Sequence, residues 1–254
     1  MNQSTRVDAV FLPGILMSAV KRYEPLLAAL DVPGAVTKEL EVYAGAQPPR
    51  GYSLETEVDG LHRFADERGL GRFHLYGHSG GASVALAYVA RYGDRIVSLA
   101  LDEPASDFSS QDRATHAALL PTLADLPVHE RMRTFAASLV RPGVALPEPP
   151  PPGPESAKRP AGLAAFQAAL DTYELPPQGY AAYTGPVLYT YGSLSHARWE
   201  VMAARLQVQF HSIHIERFDG LHHLNTSHVA QPTRVAAALR ELWILSVGKG
   251  SKPG

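Results

Sequence analysis

Short apolar runs alternate with helical periodicity along most of this chain, and that rhythm restricts its fold more than any other feature. Residues 7–12 form an apolar run stopped by Pro13-Gly14, which predicts a buried strand. In 23–30, Leu26, Leu27 and Leu30 share a helical face, and Pro33-Gly34 ends it. Strands are predicted again at 35–40, 72–76 and 95–101, and helices at 53–68 and 80–92. Ser53 is positioned as an N-cap, and Gly69 and Gly93 close the two helices. The rhythm pauses from 105 to about 182, where helical pieces are predicted near 111–120, 128–139 and 161–172. It resumes with strands at 186–191 and 210–216 and helices at 196–206 and 230–246. No internal repeat is visible. Such alternation builds a parallel sheet with helices on both faces.

The expected fold is therefore α/β, with a mostly parallel six-stranded sheet formed by 1–104 and 183–247. Residues 105–182 are expected to form a helical cap, and 248–254 a disordered tail. The chain has 254 residues and is 45% hydrophobic, enough for one sizeable core. Eight of its 21 prolines fall between 141 and 160, which predicts an extended, exposed linker there. The cap leaves from the C-terminal end of a strand, the edge where open parallel sheets bind ligands.

Composition narrows the function classes. A net charge of −2 argues against nucleic acid or an anionic membrane as partner. Cysteine is absent, so no disulfide frame or thiolate metal site is expected, which fits a reducing cytoplasm. The first residues lack the basic patch and apolar run of a signal peptide, and no apolar stretch approaches a membrane span. The expectation is a cytoplasmic protein acting on a small molecule.

Between the third predicted strand and its helix lies Gly77-His78-Ser79-Gly80-Gly81. Gly-x-Ser-x-Gly between strand and helix is a sharp turn that exposes the serine at its tip, and the flanking glycines let the chains pass. A glycine-rich turn without chemistry is the bland alternative. A phosphate-binding turn competes too, but the Lys-Ser/Thr of a P-loop and the Gly-x-Gly-x-x-Gly pattern are both missing. His211, His214, His222, His223 and His228 are dense, yet no carboxylate completes a familiar ligand spacing. His211 and His214 fall on opposite sides of a strand. No metal is expected. His211 and His228 are read as surface or helix-edge residues.

From Phe11-Leu-Pro-Gly14 through Tyr76-Gly-His-Ser-Gly-Gly81 to Gly220-Leu-His-His223, nearly the whole chain resembles the α/β-hydrolase superfamily. The resemblance implies a Ser-acid-His triad in which Ser79 is the nucleophile and no cofactor is needed. About six residues precede the first strand, so the two strands that family members carry before it are expected to be missing. The family's base lies in a loop after the last strand. Aligning Gly220 with that loop puts His223 in the catalytic slot, with His222 as the alternative. The acid usually follows the strand after the cap, but the turn here is Gly192-Ser-Leu-Ser195, with serine in its slot. The strand at 95–101 leads instead into Asp102-Glu103-Pro104, and some branches of the superfamily carry the acid there. If the strand persists that far, alternation sends Asp102 and Glu103 to opposite faces. The resemblance favours Glu103, with Asp102, then Asp219 or no acid at all, as alternatives.

The oxyanion hole implied by the family uses the N–H after the nucleophile, Gly80, and one after the first strand, Ile15, with Leu16 as the alternative. Leu16, Met17 and His78 are expected to line an apolar substrate pocket. The implied activity is hydrolysis of a small or medium carboxylic ester, thioester or lactone through an acyl-enzyme. Ser79 argues against dehalogenase and epoxide hydrolase chemistry, which need a carboxylate nucleophile. Carbon–carbon hydrolase or lyase chemistry also occurs on this scaffold. A non-catalytic, receptor-like binding protein on the same fold is the reading from a different class. A carboxylate within hydrogen-bond reach of the far nitrogen of His223 discriminates the two.

Overall fold

The computed structural model describes residues 7–148, 153–176 and 178–247. Six strands form one sheet: β1 (Ala9–Leu12), β2 (Ala35–Thr37), β3 (Phe73–His78), β4 (Ile96–Asp102), β5 (Val187–Gly192) and β6 (Ile213–Phe218). Every pairing is parallel, in the order β2-β1-β3-β4-β5-β6. The chain steps outward from β1 to β2 and then returns to the other side of β1 to lay down β3. That reversal opens a crevice beyond the C-terminal ends of β1 and β3, where ligands bind in such sheets.

Helices cover both faces because the central strands are apolar on both. β1 is Ala-Val-Phe-Leu and buried throughout, as expected of an interior parallel strand. Phe11, Tyr76 and Ala100 pack on one face beside Tyr23 and Leu26 of α1 (Ala19–Leu30) and Leu239 of α10 (Pro232–Val247). Val10, Leu75 and Leu99 pack on the other with residues of α2 (Leu54–Glu67), α3 (Gly80–Tyr92) and α8 (Arg198–Gln209). At Ser53 the expected cap is present, and its N–H donates to Thr56 Oγ1 at 3.2 Å. Strand β3 runs two residues past its predicted end, because Gly77 and His78 still pair with Leu101 and Asp102. The strand thus delivers the chain directly to Ser79.

Between β4 and β5 lie α4 (Ser110–Ala124), α5 (Val128–Ala137), α6 (Pro154–Ala157) and α7 (Arg159–Thr172). Within the proline-rich stretch, residues 141–148 are irregular and largely exposed. Residues 149–152 lie outside the described residues. On either side, Arg141 N–H donates to Leu194 O at 2.9 Å, Pro154–Ala157 forms a helical turn, and Arg159 is buried. Proline at the start of a helix sacrifices no hydrogen bond, so the residues that exclude a core strand still permit this turn. The tail at 248–254 also lies outside the described residues. Among those described, no helix is long and apolar enough to cross a membrane.

Candidate active site

Ser79 sits between β3 and α3 with φ 53° and ψ −118°, a conformation L-residues adopt only when their surroundings force it. Backbone bonds supply the force. Ser79 N–H donates to Asp102 O at 2.9 Å, and Ser79 O accepts from Ala82 and Ala105 N–H, each at 3.0 Å. A methyl group on Gly77 would lie 2.5 Å from Gly81 O, and one on Gly81 2.4 Å from Leu12 O. Both obstacles are backbone and cannot swing aside. Gly81→Ala is therefore expected to destabilise the fold by about 1–3 kcal/mol, lowering Tm by roughly 2–12 °C in a thermal melt. An unchanged Tm would contradict this geometry.

At the tip of this turn, the Ser79 hydroxyl donates to His223 Nε2 at 2.9 Å, and His223 Nδ1–H donates to Glu103 Oε2 at 2.7 Å. All three residues are buried. His223 follows β6 in a loop fastened to the end of β5: Ser193 N–H donates to Phe218 O and Leu194 N–H to Leu221 O. Its ring stacks on Trp199 of α8 with centroids 4.4 Å apart and planes 11° from parallel, and the indole N–H is anchored on Pro104 O. His222, the alternative base, accepts from Leu224 N–H through Nδ1 within its own loop. Asp219 is exposed and paired with Arg217.

Glu103 directly follows β4 with φ 49°. Its second oxygen, Oε1, accepts from Gly192 N–H at 2.7 Å and from the Ser195 hydroxyl. Serine in the family's usual acid position thus donates to a carboxylate arriving from β4. A carboxylate at 195 would instead set two buried negative charges against each other. Trp199 was missed from sequence because nothing local marks a helix-start tryptophan as the partner of a loop histidine.

Asp102 points to the other side. Its Oδ2 accepts from His228 Nδ1 at 2.8 Å and from His78 Nδ1 at 3.2 Å, and Oδ1 accepts from Thr190 Oγ1 at 2.8 Å. His228 corrects the surface reading: it is fully buried. It belongs to the short helix α9 (Ser227–Ala230), whose four residues carry too little periodicity to reveal which side faces inward. Burial opposes charge on Asp102, but hydrogen bonds from His228 and His78 hold it well below the usual carboxylate range. Burial pulls both histidines down, so they remain neutral donors. Among the described residues, His78, Asp102 and His228 form the one group whose ligand atoms cluster as a metal would need. The cluster is already accounted for as a neutral-histidine, anionic-aspartate network, because both Nδ1 atoms are spent on the same carboxylate oxygen.

Gly80 and Ile15 lie against each other. A methyl group on Gly80 would come within 3.0 Å of Ile15 Cγ2 and 3.1 Å of the Phe166 ring. Neither amide N–H donates to another backbone group among the described residues. Ile15 O is held by the Tyr43 hydroxyl at 2.8 Å and by Arg159 Nη1 at 3.3 Å. Ser79 and His223 open onto a cavity of about 530 Å³ that Leu16, Met17 and His78 also line. Its wall is mostly apolar, and Lys21, Arg22 and Arg159 border it as well. Helical periodicity gave no sign that Arg22, in the first turn of α1, points inward.

Burial and the neighbouring Asp102 charge push Glu103 up to about 8. Burial, with Arg198 adding to it, draws His223 well below the ordinary imidazole value. A Glu103 that takes up a proton no longer offers the anion that holds the His223 Nδ1–H tautomer. Any activity that depends on that anion is therefore expected to fall as pH drops through about 8. Asp102→Asn removes the charge that favours that proton, so the acid limb of kcat/KM is expected to move to lower pH. A limb that stays in place or moves up would contradict the assignment.

A family model described as "Alpha/beta hydrolase family" matches residues 9–238. No curated protein matches the chain. Among solved structures, a carboxylesterase of Nitrososphaera gargenis superposes with a TM-score of 0.72 at 15% identity, covering 98% of this chain and 94% of its own. A thermophilic esterase from Thermogutta terrifontis gives 0.70 at 20% identity, with 96% and 91% covered. A haloalkane dehalogenase variant from Bradyrhizobium elkanii gives 0.66 at 18% identity, with 97% and 92% covered. At such identities the likeness speaks for the fold alone.

Proposed function

This chain belongs to the alpha/beta hydrolase family, and we propose that it is a serine hydrolase cleaving a small or medium carboxylic ester, thioester or lactone through an acyl-enzyme. The observation that carries the reading is the continuous chain from Ser79 Oγ through His223 to Glu103, at 2.9 and 2.7 Å. A serine hydroxyl is a weak nucleophile until a base in hydrogen-bond reach takes its proton. The same carboxylate contact favours an enzyme over a receptor-like binding protein.

In this mechanism Ser79 Oγ adds to the substrate carbonyl carbon while His223 Nε2 takes the hydroxyl proton. Glu103 holds the Nδ1–H tautomer and balances the imidazolium charge. The carbonyl oxygen, now negative, accepts from the N–H groups of Gly80 and Ile15. Each such donor is worth about 3–4 kcal/mol of barrier lowering. Collapse of the adduct breaks the bond to the leaving alcohol or thiol, which departs with the proton from His223. Water then adds to the acyl group, His223 again takes a proton, and the carboxylic acid leaves with Ser79 restored. The helices α4–α7 serve as the cap, with Phe166 against Gly80, and Phe135 and Leu139 lining the cavity.

Turnover of a panel of short esters, thioesters and lactones tests the substrate class. The expected result is hydrolysis of at least one class that stops after treatment with a fluorophosphonate. Turnover that survives complete modification of Ser79, or none on any class, would overturn the proposal.

A further inference from the structure

Arg22 lies in the first turn of α1, is only 7% exposed, and borders the same cavity as Ser79. Its Nη1–H donates to His228 Nε2 at 3.3 Å, and its Nε–H has no acceptor among the described residues. The nearest compensating charge is Asp102, which acts on it from beyond His228 rather than in direct contact. Removing an ion from water is costly unless a counter-charge and hydrogen bonds replace the lost solvation. Arg22 has a neutral histidine, a distant carboxylate and a donor to spare.

The other cations at the cavity are placed differently. Arg159 is occupied by Glu155 at 3.1 Å, by Ile15 O and by the Tyr43 ring. Lys21 is exposed and has no ion-pair partner among the described residues. Glu155, on the same wall as Arg159, is also held by Lys158 at 3.0 Å. One buried, under-partnered guanidinium therefore faces the space a substrate would fill, with a free ammonium beside it in sequence.

We infer that the substrate carries a carboxylate in addition to the scissile acyl bond, and that Arg22 binds it, with Lys21 adding attraction at the mouth. The guanidinium fork matches a carboxylate in shape and charge. The inference rests on the serine-hydrolase reading of the same cavity. It has a consequence for the base: Arg22 lies close enough to lower the proton affinity of His223. A bound carboxylate offsets that effect when substrate is present.

Two matched ester pairs test this. Mono-para-nitrophenyl succinate and its methyl ester place the charge on the acyl side. Para-acetoxybenzoate and its methyl ester place it on the alcohol side. Wild type is expected to prefer the charged member of at least one pair by roughly tenfold or more in kcat/KM. In Arg22→Gln that ratio should collapse toward one, mainly through KM, and Arg22→Lys should restore part of it. A merely structural Arg22 would lower both members alike and leave the ratio intact. Equal rates, or preference for the neutral esters in both pairs, would overturn the inference while Ser79 still reacts with a fluorophosphonate. If Ser79 does not react, the hydrolase reading fails separately, and calorimetric titration with monomethyl succinate decides the Arg22 site. Binding by wild type that is lost in Arg22→Gln supports it, and no binding at millimolar concentration overturns it.

Discussion

Replacing Ser79 with alanine is expected to lower kcat on any accepted ester by about 10⁴- to 10⁶-fold. The size follows from what remains. His223 Nε2 loses the one hydroxyl it accepts from in the Ser79–His223–Glu103 chain, and no acyl-enzyme can form without it. Gly80 and Ile15 N–H persist in the variant, so a trace of water-driven hydrolysis at the oxyanion site is expected to survive. Steady-state kinetics on purified variant and wild type check the ratio. A loss below about tenfold would mean another group attacks.

Glu103→Gln is expected to cost about 10⁴-fold in kcat with little change in KM. Donors and acceptors set the size of this loss. Wild-type Glu103 accepts on both oxygens: Oε1 from Gly192 N–H and Ser195, Oε2 from His223 Nδ1–H. Glutamine has only one oxygen. Turned toward Gly192 and Ser195, it presents its NH₂ to His223 Nδ1, which must then accept. The ring proton moves to Nε2, and the base faces Ser79 with a donor. Turned the other way, the NH₂ meets the Gly192 donor, and a buried donor is left without an acceptor. Ser195→Ala removes one of three hydrogen bonds and leaves the tautomer intact, so its effect should be far smaller. Comparable losses in the two variants would show that Glu103 does not act by orienting His223.

Much of the fold was legible because its cues are local. Apolar runs ending in Pro13-Gly14 or at Gly77 mark strands whatever packs on them, and Gly77 and Gly81 mark the turn because only backbone lies within reach of their missing side chains. Glu103 was singled out by resemblance; strand alternation does not decide it, since Glu103 lies just past the end of β4 with φ 49°. What stayed hidden depends on contacts distant in sequence. His228 is buried because α9 tucks beneath Asp102, over 100 residues away in the chain. Trp199 matters through its stack on a loop that follows β6. Arg22 carries a charge that marks surfaces in most helices, and its burial became visible only once His228 and the cavity wall were placed around it. In the proline-rich segment, the helical turn at Pro154–Ala157 left no sign in the sequence, because proline is tolerated at a helix start as readily as in an extended run.

In the proposed mechanism Ser79 is a nucleophile activated by His223, which Glu103 orients. Intact mass after exposure to a fluorophosphonate, followed by peptide mapping, reads this at the reacting atom. One adduct per chain is expected, located on Ser79, absent in Ser79→Ala and formed much more slowly in Glu103→Gln. No adduct on the wild type, or an adduct that persists in Ser79→Ala, would contradict the mechanism.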